Sequence, residues 1–238
     1  MGPRATTVQY FVSGAGSWAL QGLTLETVSV GPSNLTMTND VIAPLPGDDY
    51  AMLLTASASG TVSLQGVAIL GNGVDEAIAF STGTSARLTV ESSYISSTGS
   101  GIALLASGNV STINVVNSTF ASNGSGLDFA TTQGPGSSPV AAVYNSLFLD
   151  NGAGVDTSNA GPTSHNAFYG NLENYTGMAV GNASDSTANP LVDNATPPGL
   201  LVGSPCRASG DPAHAAALDF YGRPRGGTPD IGAVQSSP

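Results

Sequence analysis

The run Asn117-Ser118-Thr119-Phe120-Ala121-Ser122-Asn123-Gly124-Ser125-Gly126-Leu127-Asp128-Phe129 decides the fold of this chain. A short polar run that ends on an apolar residue, Asn-Ser-Thr-Phe, leads into an Asn-Gly turn, and the alternating Gly-Leu-Asp-Phe follows it. Alternation at a period of two is the mark of a strand with one face buried. Asn-Gly is a turn signal, and it arrives too soon for a helix to fit between the runs. Toward the C-terminus the pattern returns as Asn145-Ser146-Leu147-Phe148, Asn151-Gly152 and Gly154-Val155-Asp156. Toward the N-terminus it reads Ser92-Ser93-Tyr94-Ile95, Thr98-Gly99 and Gly101-Ile102-Ala103-Leu104. One step earlier stand Gly66-Val67-Ala68-Ile69, Gly71-Asn72-Gly73 and Ala77-Ile78-Ala79-Phe80; Ala51-Met52-Leu53-Leu54 and Asn166-Ala167-Phe168 extend the pattern at either end.

Met52, Ile78, Ile102, Leu127 and Val155 follow one another at steps of 26, 24, 25 and 28 residues. A sandwich or meander has short strands but needs no constant period, whereas a solenoid does, because each coil lies on its predecessor. The spacing therefore predicts an all-β, right-handed parallel β-helix of at least five coils over residues 18–180. Equivalent residues stack about 4.8 Å apart in such a fold. Ile69, Ile95, Phe120, Phe148 and Phe168 form one predicted internal column, and Met52, Ile78, Ile102, Leu127 and Val155 another. Asn123 with Asn151, and Asn117 with Asn145, are predicted amide ladders at the corners, where stacked amides satisfy buried polar groups. Residues 1–17, with Tyr10-Phe11-Val12, read as a first strand or an N-terminal cover. Residues 181–238 read as an irregular C-terminal cap, since the last coil would otherwise expose apolar core and a strand edge.

Composition narrows the function. The chain has 238 residues, 40% of them hydrophobic and only 9% charged, so disorder is not the reading. Its only basic residues are five arginines, Arg4, Arg87, Arg207, Arg223 and Arg225, against a formal net charge of −11. No basic stripe exists to neutralise phosphates, which argues against a nucleic-acid partner and an anionic membrane surface. No stretch reaches the ~20 apolar residues of a membrane span. A single cysteine, Cys206, leaves no internal disulfide and reads as a small buried residue. Met1-Gly2-Pro3-Arg4 lacks the apolar core of a signal peptide. That leaves a cytoplasmic protein or an exported one whose leader is missing from this sequence, and composition points to the second, an extracellular or cell-surface protein.

These repeats resemble the pectate-lyase-like right-handed β-helix superfamily. The tail adds Asn189-Pro190-Leu191-Val192-Asp193, Gly203-Ser204-Pro205-Cys206, Asp219-Phe220-Tyr221-Gly222-Arg223-Pro224-Arg225 and Pro229-Asp230-Ile231-Gly232-Ala233, in that order. It resembles the C-terminal segment of bacterial surface proteins labelled choice-of-anchor, with Gln235 where that family commonly carries an acid. The resemblance implies polysaccharide lyases, glycoside hydrolases, epimerases and non-catalytic adhesins, so the fold alone does not choose among them. Within the tail, Arg223 and Arg225 with Asp219 and Asp230 read as an ion-pair cluster that pins the cap.

Catalysis finds thin material. A lyase needs cations around its proton-abstracting base, and only Arg87 lies in the coil body. A hydrolase needs two carboxylates, and Asp128 and Asp156 occupy one repeat position on successive coils, about 5 Å apart if stacked. Such a pair shares a proton or takes calcium; Asp150 is the next acid. His165 and His214 lack partners at zinc spacing. Tyr94 and Tyr144 would be stacking platforms for a glycan if they faced outward. Thr24, Thr36 and Thr38 do not recur at the period, so no regular threonine ladder of the ice-binding kind is expected. The expectation is a non-catalytic secreted or surface β-helix that binds a polysaccharide or cell-surface glycan, with a polysaccharide hydrolase or lyase as the alternative.

Overall fold

The computed structural model of the chain describes residues 9–12, 16–31, 34–54, 60–80, 87–104, 112–129, 140–157, 161–177 and 179–236. Its strands form three parallel sheets wound into a β-helix of seven B–C–A coils, with one further strand ahead of them. Sheet A contains Tyr10–Val12, Val28–Val30, Tyr50–Leu54, Glu76–Phe80, Ser100–Leu104, Ser125–Phe129, Ala153–Thr157 and Glu173–Gly177. Sheet B contains Ser17–Gln21, Asn34–Thr38, Thr61–Gln65, Arg87–Glu91, Thr112–Val116, Val140–Tyr144 and Thr163–Ser164. Sheet C contains Thr24–Leu25, Val41–Ile42, Ala68–Leu70, Tyr94–Ser96, Thr119–Ala121, Leu147–Leu149 and Ala167–Tyr169. Tyr10–Val12 pairs with Val28–Val30, so of strand or cover it is a strand.

Both predicted internal columns form. Ile69, Ile95, Phe120, Phe148 and Phe168 are successive partners in sheet C. Met52, Ile78, Ile102, Leu127 and Val155 are successive partners in sheet A, and every member of both columns is buried. The Phe120, Phe148 and Phe168 rings stack at 5.1 and 4.9 Å with planes within 9° of parallel. Glycines make room for them. A Cβ on Gly101, Gly126 or Gly154 would lie 2.8, 2.7 or 2.8 Å from Cδ1 of Phe120, Phe148 or Phe168. In earlier coils, where the column carries Ile69 and Ile95, the same place is held by Ala51 and Ala77.

From sheet B to sheet C the chain turns on one left-handed residue per coil. Gly22, Asn39, Gly66, Ser92, Asn117, Asn145 and His165 all have φ between 46° and 66°. The next residue points inward and builds a ladder. Ser93 Oγ accepts the Val67 N–H, Ser118 Oγ that of Ser93, Ser146 Oγ that of Ser118, and Asn166 Oδ1 that of Ser146. At the corner from sheet C to sheet A, Asn123, Asn151 and Asn171 accept the N–H of Thr98, Asn123 and Asn151. The Asn123–Asn151 ladder thus forms as expected.

The Asn117–Asn145 ladder does not. Positive φ turns both side chains outward, where they bond the tail instead of each other. Asn117 Nδ2 donates to the Asp230 carbonyl and its Oδ1 accepts the Ala216 N–H. Asn145 Oδ1 accepts the Asp211 N–H and its Nδ2 donates to the Asp211 carbonyl.

Only the first part of the tail closes the last coil. Ser186 bridges to Ala167 at the edge of sheet C, and Asp185 accepts from the Asn166 N–H and the Tyr175 hydroxyl, ending the inner ladder. Residues beyond 190 lie along the flank and cover sheet C. The cause is that sheet's outer face: Tyr94, Ala121, Leu147, Leu149 and Ala167 point away from the core and need a second apolar layer. Leu200, Cys206 and Ile231 provide it. Cys206 is fully buried, and desolvation pushes its thiol up to about 11.

The arginine cluster pins this layer. Arg223 donates to Asp219 through Nε and Nη2 at 2.8 and 2.5 Å. Burial opposes ionisation of Asp219, but the Arg223 side chain and the N–H groups of Arg223 and Gln235 override it and hold the carboxyl below its ordinary range. Arg225 donates to the Gly232 and Ala233 carbonyls and to Ser92 Oγ on the coil. Burial brings Arg225 down to about 10.

Candidate functional site

With sheet C covered by the tail, the remaining candidate residues stand on the outward positions of sheets A and B. On sheet A, Asp128 and Asp156 are register partners, as predicted, and both are half-buried. Ser100 Oγ donates to Asp128 Oδ2 at 3.3 Å. Asp156 Oδ1 is buried with no hydrogen-bond partner among the described residues. A further acid joins them. Glu76 stands in a column with Tyr50 and Ser100. Burial first, then the charges of Asp75, Asp49 and Asp128, raise its carboxyl above the ordinary range. Glu76 lies two strands from Asp128 in sheet A, close enough for the Asp128 charge to reach it. No group of three or more His, Cys, Asp or Glu able to hold a metal ion occurs among the described residues.

The other predicted positions are not gathered with this pair. Asp150 is exposed at the corner between sheets C and A with φ 51°, off the face that carries Asp128 and Asp156. Tyr94 does point away from the core, but the tail covers it and leaves 8% exposed. Tyr144 is half-buried and stacks on His214 at 4.0 Å and 11°. The tail thus covers Tyr94 and lays the His214 ring against Tyr144. The apolar composition of the sheet C strands is the signal that could have shown this, since only a covered sheet carries Leu147-Phe148-Leu149.

Sheet B presents a different surface. Thr36, Ser63, Thr89 and Asn114 are successive register partners, and so are Thr61, Arg87 and Thr112 beside them. Asn34 extends the second column, with its Oδ1 accepting the Thr61 N–H at 2.9 Å. Asn34, Thr36, Thr61 and Arg87 are exposed and Ser63, Thr89, Thr112 and Asn114 half-buried. The threonine-only expectation missed these columns. Thr36 does recur, at steps of 27, 26 and 25, with Ser63 and Asn114 substituting for threonine. Arg87, the lone candidate cation for lyase chemistry, stands in this sheet, whereas the carboxylates stand on sheet A.

These features define a parallel β-helix with one flank clad by its tail, polar columns on sheet B and a carboxylate pair on sheet A. No helix among the described residues is long and apolar enough to cross a membrane. No family model matches the chain, and no significant match to it is found among curated proteins or solved structures.

Proposed function

We propose that this protein is a non-catalytic, secreted or cell-surface β-helix that binds a neutral polysaccharide or cell-surface glycan along the outer face of sheet B. The supporting observation is the pair of in-register hydroxyl and amide columns, Thr36–Ser63–Thr89–Asn114 and Thr61–Arg87–Thr112. Strand spacing sets donors and acceptors about 4.8 Å apart along the axis. The backbone that carries them is already ordered, so little freedom is lost on binding. Each new hydrogen bond contributes about 0.5–1.5 kcal/mol net. Affinity is therefore low per sugar and rises with chain length. The surface location rests on the tail's resemblance to choice-of-anchor segments and on the acidic, lysine-free composition. Membership of the pectate-lyase-like superfamily belongs to the same proposal.

The test is affinity electrophoresis against neutral and acidic polysaccharides, with the variant Thr36→Val/Thr61→Val/Thr89→Val/Thr112→Val. Valine keeps the shape and strand preference while deleting the hydroxyls. Retardation by a neutral polysaccharide that falls about tenfold in the variant is the expected result; unchanged retardation refutes the site. The raised carboxyl of Glu76, within the field of Asp128, favours a second reading, a polysaccharide hydrolase with Glu76 as acid and Asp128 as base. Reducing ends released by purified protein, and lost in Glu76→Gln, would replace the binding reading with that one.

A further inference from the structure

The dipeptide Asn-Gly occurs three times in the chain, at Asn72-Gly73, Asn123-Gly124 and Asn151-Gly152, each time between a strand of sheet C and the next strand of sheet A. In sequence the three read as one kind of turn, but they hold different places in the coil. Gly99 donates its N–H to the Val74 carbonyl, Gly124 to that of Thr98 and Gly152 to that of Asn123. Val74, Thr98, Asn123 and Asn151 therefore form one column, and the side-chain ladder begins where Asn123 accepts from Thr98. Asn72 lies two residues ahead of that column. Its place there is taken by Val74, which is 2% exposed.

The two settings differ in what surrounds the amide. Asn123 and Asn151 are buried, and each is bonded to the coil on either side. Asn123 Oδ1 accepts from Thr98, and its Nδ2 donates to the Ile95 carbonyl and to Asn151 Oδ1. Asn151 Nδ2 donates to the Phe120 carbonyl and to Asn171 Oδ1. Their glycines are pressed between coils: a Cβ on Gly124 or Gly152 would lie 2.5 Å from the carbonyl oxygen of Gly99 or Gly124. Asn72 and Gly73 are both exposed, and nothing lies within 4 Å of the place a Gly73 Cβ would take. They are the middle residues of a turn closed by the Val74 N–H on the Gly71 carbonyl at 2.9 Å, with φ of 50° and 85°. Asn72 Nδ2 donates to the Pro44 carbonyl at 3.3 Å, and the Gly73 N–H to the Ser97 carbonyl at 3.0 Å.

We infer that Asn72 is a site of spontaneous deamidation, and that the coil protects Asn123 and Asn151 from the same reaction. Solvent base takes the Gly73 amide proton, and the Gly73 nitrogen forms a bond to Asn72 Cγ. The Cγ–Nδ2 bond breaks as Nδ2 takes up a proton and leaves as ammonia. Water then opens the resulting succinimide at either carbonyl, giving aspartate or isoaspartate. Glycine obstructs the attack least, because it has no side chain. At Asn72 the ring closes once the Gly73 N–H leaves Ser97 and the side chain turns, which are motions of one exposed turn. At Asn123 or Asn151 it needs buried bonds to both neighbouring coils to open, a larger and rarer event. The product adds a carboxylate to a chain of net charge −11 and sets an oxygen where Nδ2 donated to Pro44, which loosens the contact with the preceding coil.

The test is peptide mass mapping of the full chain after incubation in mildly alkaline buffer, both folded and in concentrated urea, with isoaspartate told from aspartate by its fragmentation. In the folded protein Asn72 converts at least about tenfold faster than Asn123 and Asn151, because the buried amides react only through rare openings, and isoaspartate appears at position 72. Urea removes the difference, since the three pairs then differ only in their flanking residues. Conversion of Asn123 or Asn151 in the folded chain at the rate of Asn72 overturns the proposal. So does an Asn72 that stays intact in the folded chain while it converts in urea. A gap of the same size in urea also overturns it, because the flanking sequence and not the coil then sets the order. Aspartate at position 72 with no isoaspartate rules out the ring.

Discussion

Gly126→Ala tests how the coils fit together. The added Cβ would lie 2.6 Å from the Gly154 carbonyl oxygen and 2.7 and 2.9 Å from Cδ1 and Cε1 of Phe148. Contacts under 3 Å force something to move, and neither obstacle is a flexible chain end. Phe148 is held between Phe120 and Phe168 at 5.1 and 4.9 Å, and the carbonyl belongs to the next strand of sheet A. Overpacking of this kind costs about 1–3 kcal/mol. Loss of glycine's freedom in the unfolded chain returns about 0.4–1 kcal/mol, so the middle of the two ranges leaves about 1.3 kcal/mol of net destabilisation. For a chain of this size the melting temperature falls by about 3–5 °C.

The decisive measurement is a double-mutant cycle with Phe148→Ile, read by urea unfolding. The single Phe148→Ile variant loses stability by itself, because burial and ring stacking are lost. In that background Gly126→Ala should cost close to nothing, because the equivalent Ala77 is accommodated in the coil before Ile95. The expected coupling is therefore at least about 1 kcal/mol, outside the ~0.5 kcal/mol scatter of independent sites. Additive effects would show that the carbonyl, not the ring, sets the glycine requirement, and would refute the argument from matched sizes.

Three further outcomes follow from the polar groups. Glu76→Gln raises the melting temperature at pH 7 and the gain disappears by about pH 4: a raised carboxyl makes the fold bind protons more tightly than the unfolded chain, so the wild type loses stability as pH climbs through that interval. A gain of equal size at both pH values would refute it. Asp128→Asn/Asp156→Asn stabilises by about 0.2–1 kcal/mol at low salt through relief of like charges on adjacent strands, and abolishes any rise in melting temperature with calcium; a calcium-dependent rise that survives in the variant shows that the pair is not the ligand. Arg225→Met removes the bonds to Ser92, Gly232 and Ala233 and leaves the coils folded while limited proteolysis trims the tail first; simultaneous loss of tail and coils shows one cooperative unit.

The tail sequence is as much a part of the surface as the coils. Sheet B keeps polar columns on its outer face, and sheet C is apolar outward because the tail lies over it. This is why Leu147 and Leu149 flank the inward Phe148 without being errors of pattern. The same cladding explains the left-handed corner column. Asn117 and Asn145 are asparagines both because asparagine tolerates positive φ and because their amides seat the tail backbone.

By itself the sequence determined the coil. A constant step between apolar positions, with Asn-Gly turns too close for helices, leaves stacking as the way to bury every strand, and stacking fixes which residues touch. Phe120, Phe148 and Phe168, and Asp128 with Asp156, were paired correctly for that reason: register in a solenoid is arithmetic along the chain. The tertiary structure decided what the arithmetic does not contain. Where the tail lies depends on which face is apolar in three dimensions, and that placement buried Tyr94, half-covered Tyr144 and turned Asn117 and Asn145 away from each other. Contacts between neighbouring coils follow from the period, whereas contacts between the coils and an aperiodic segment follow only from how their surfaces match.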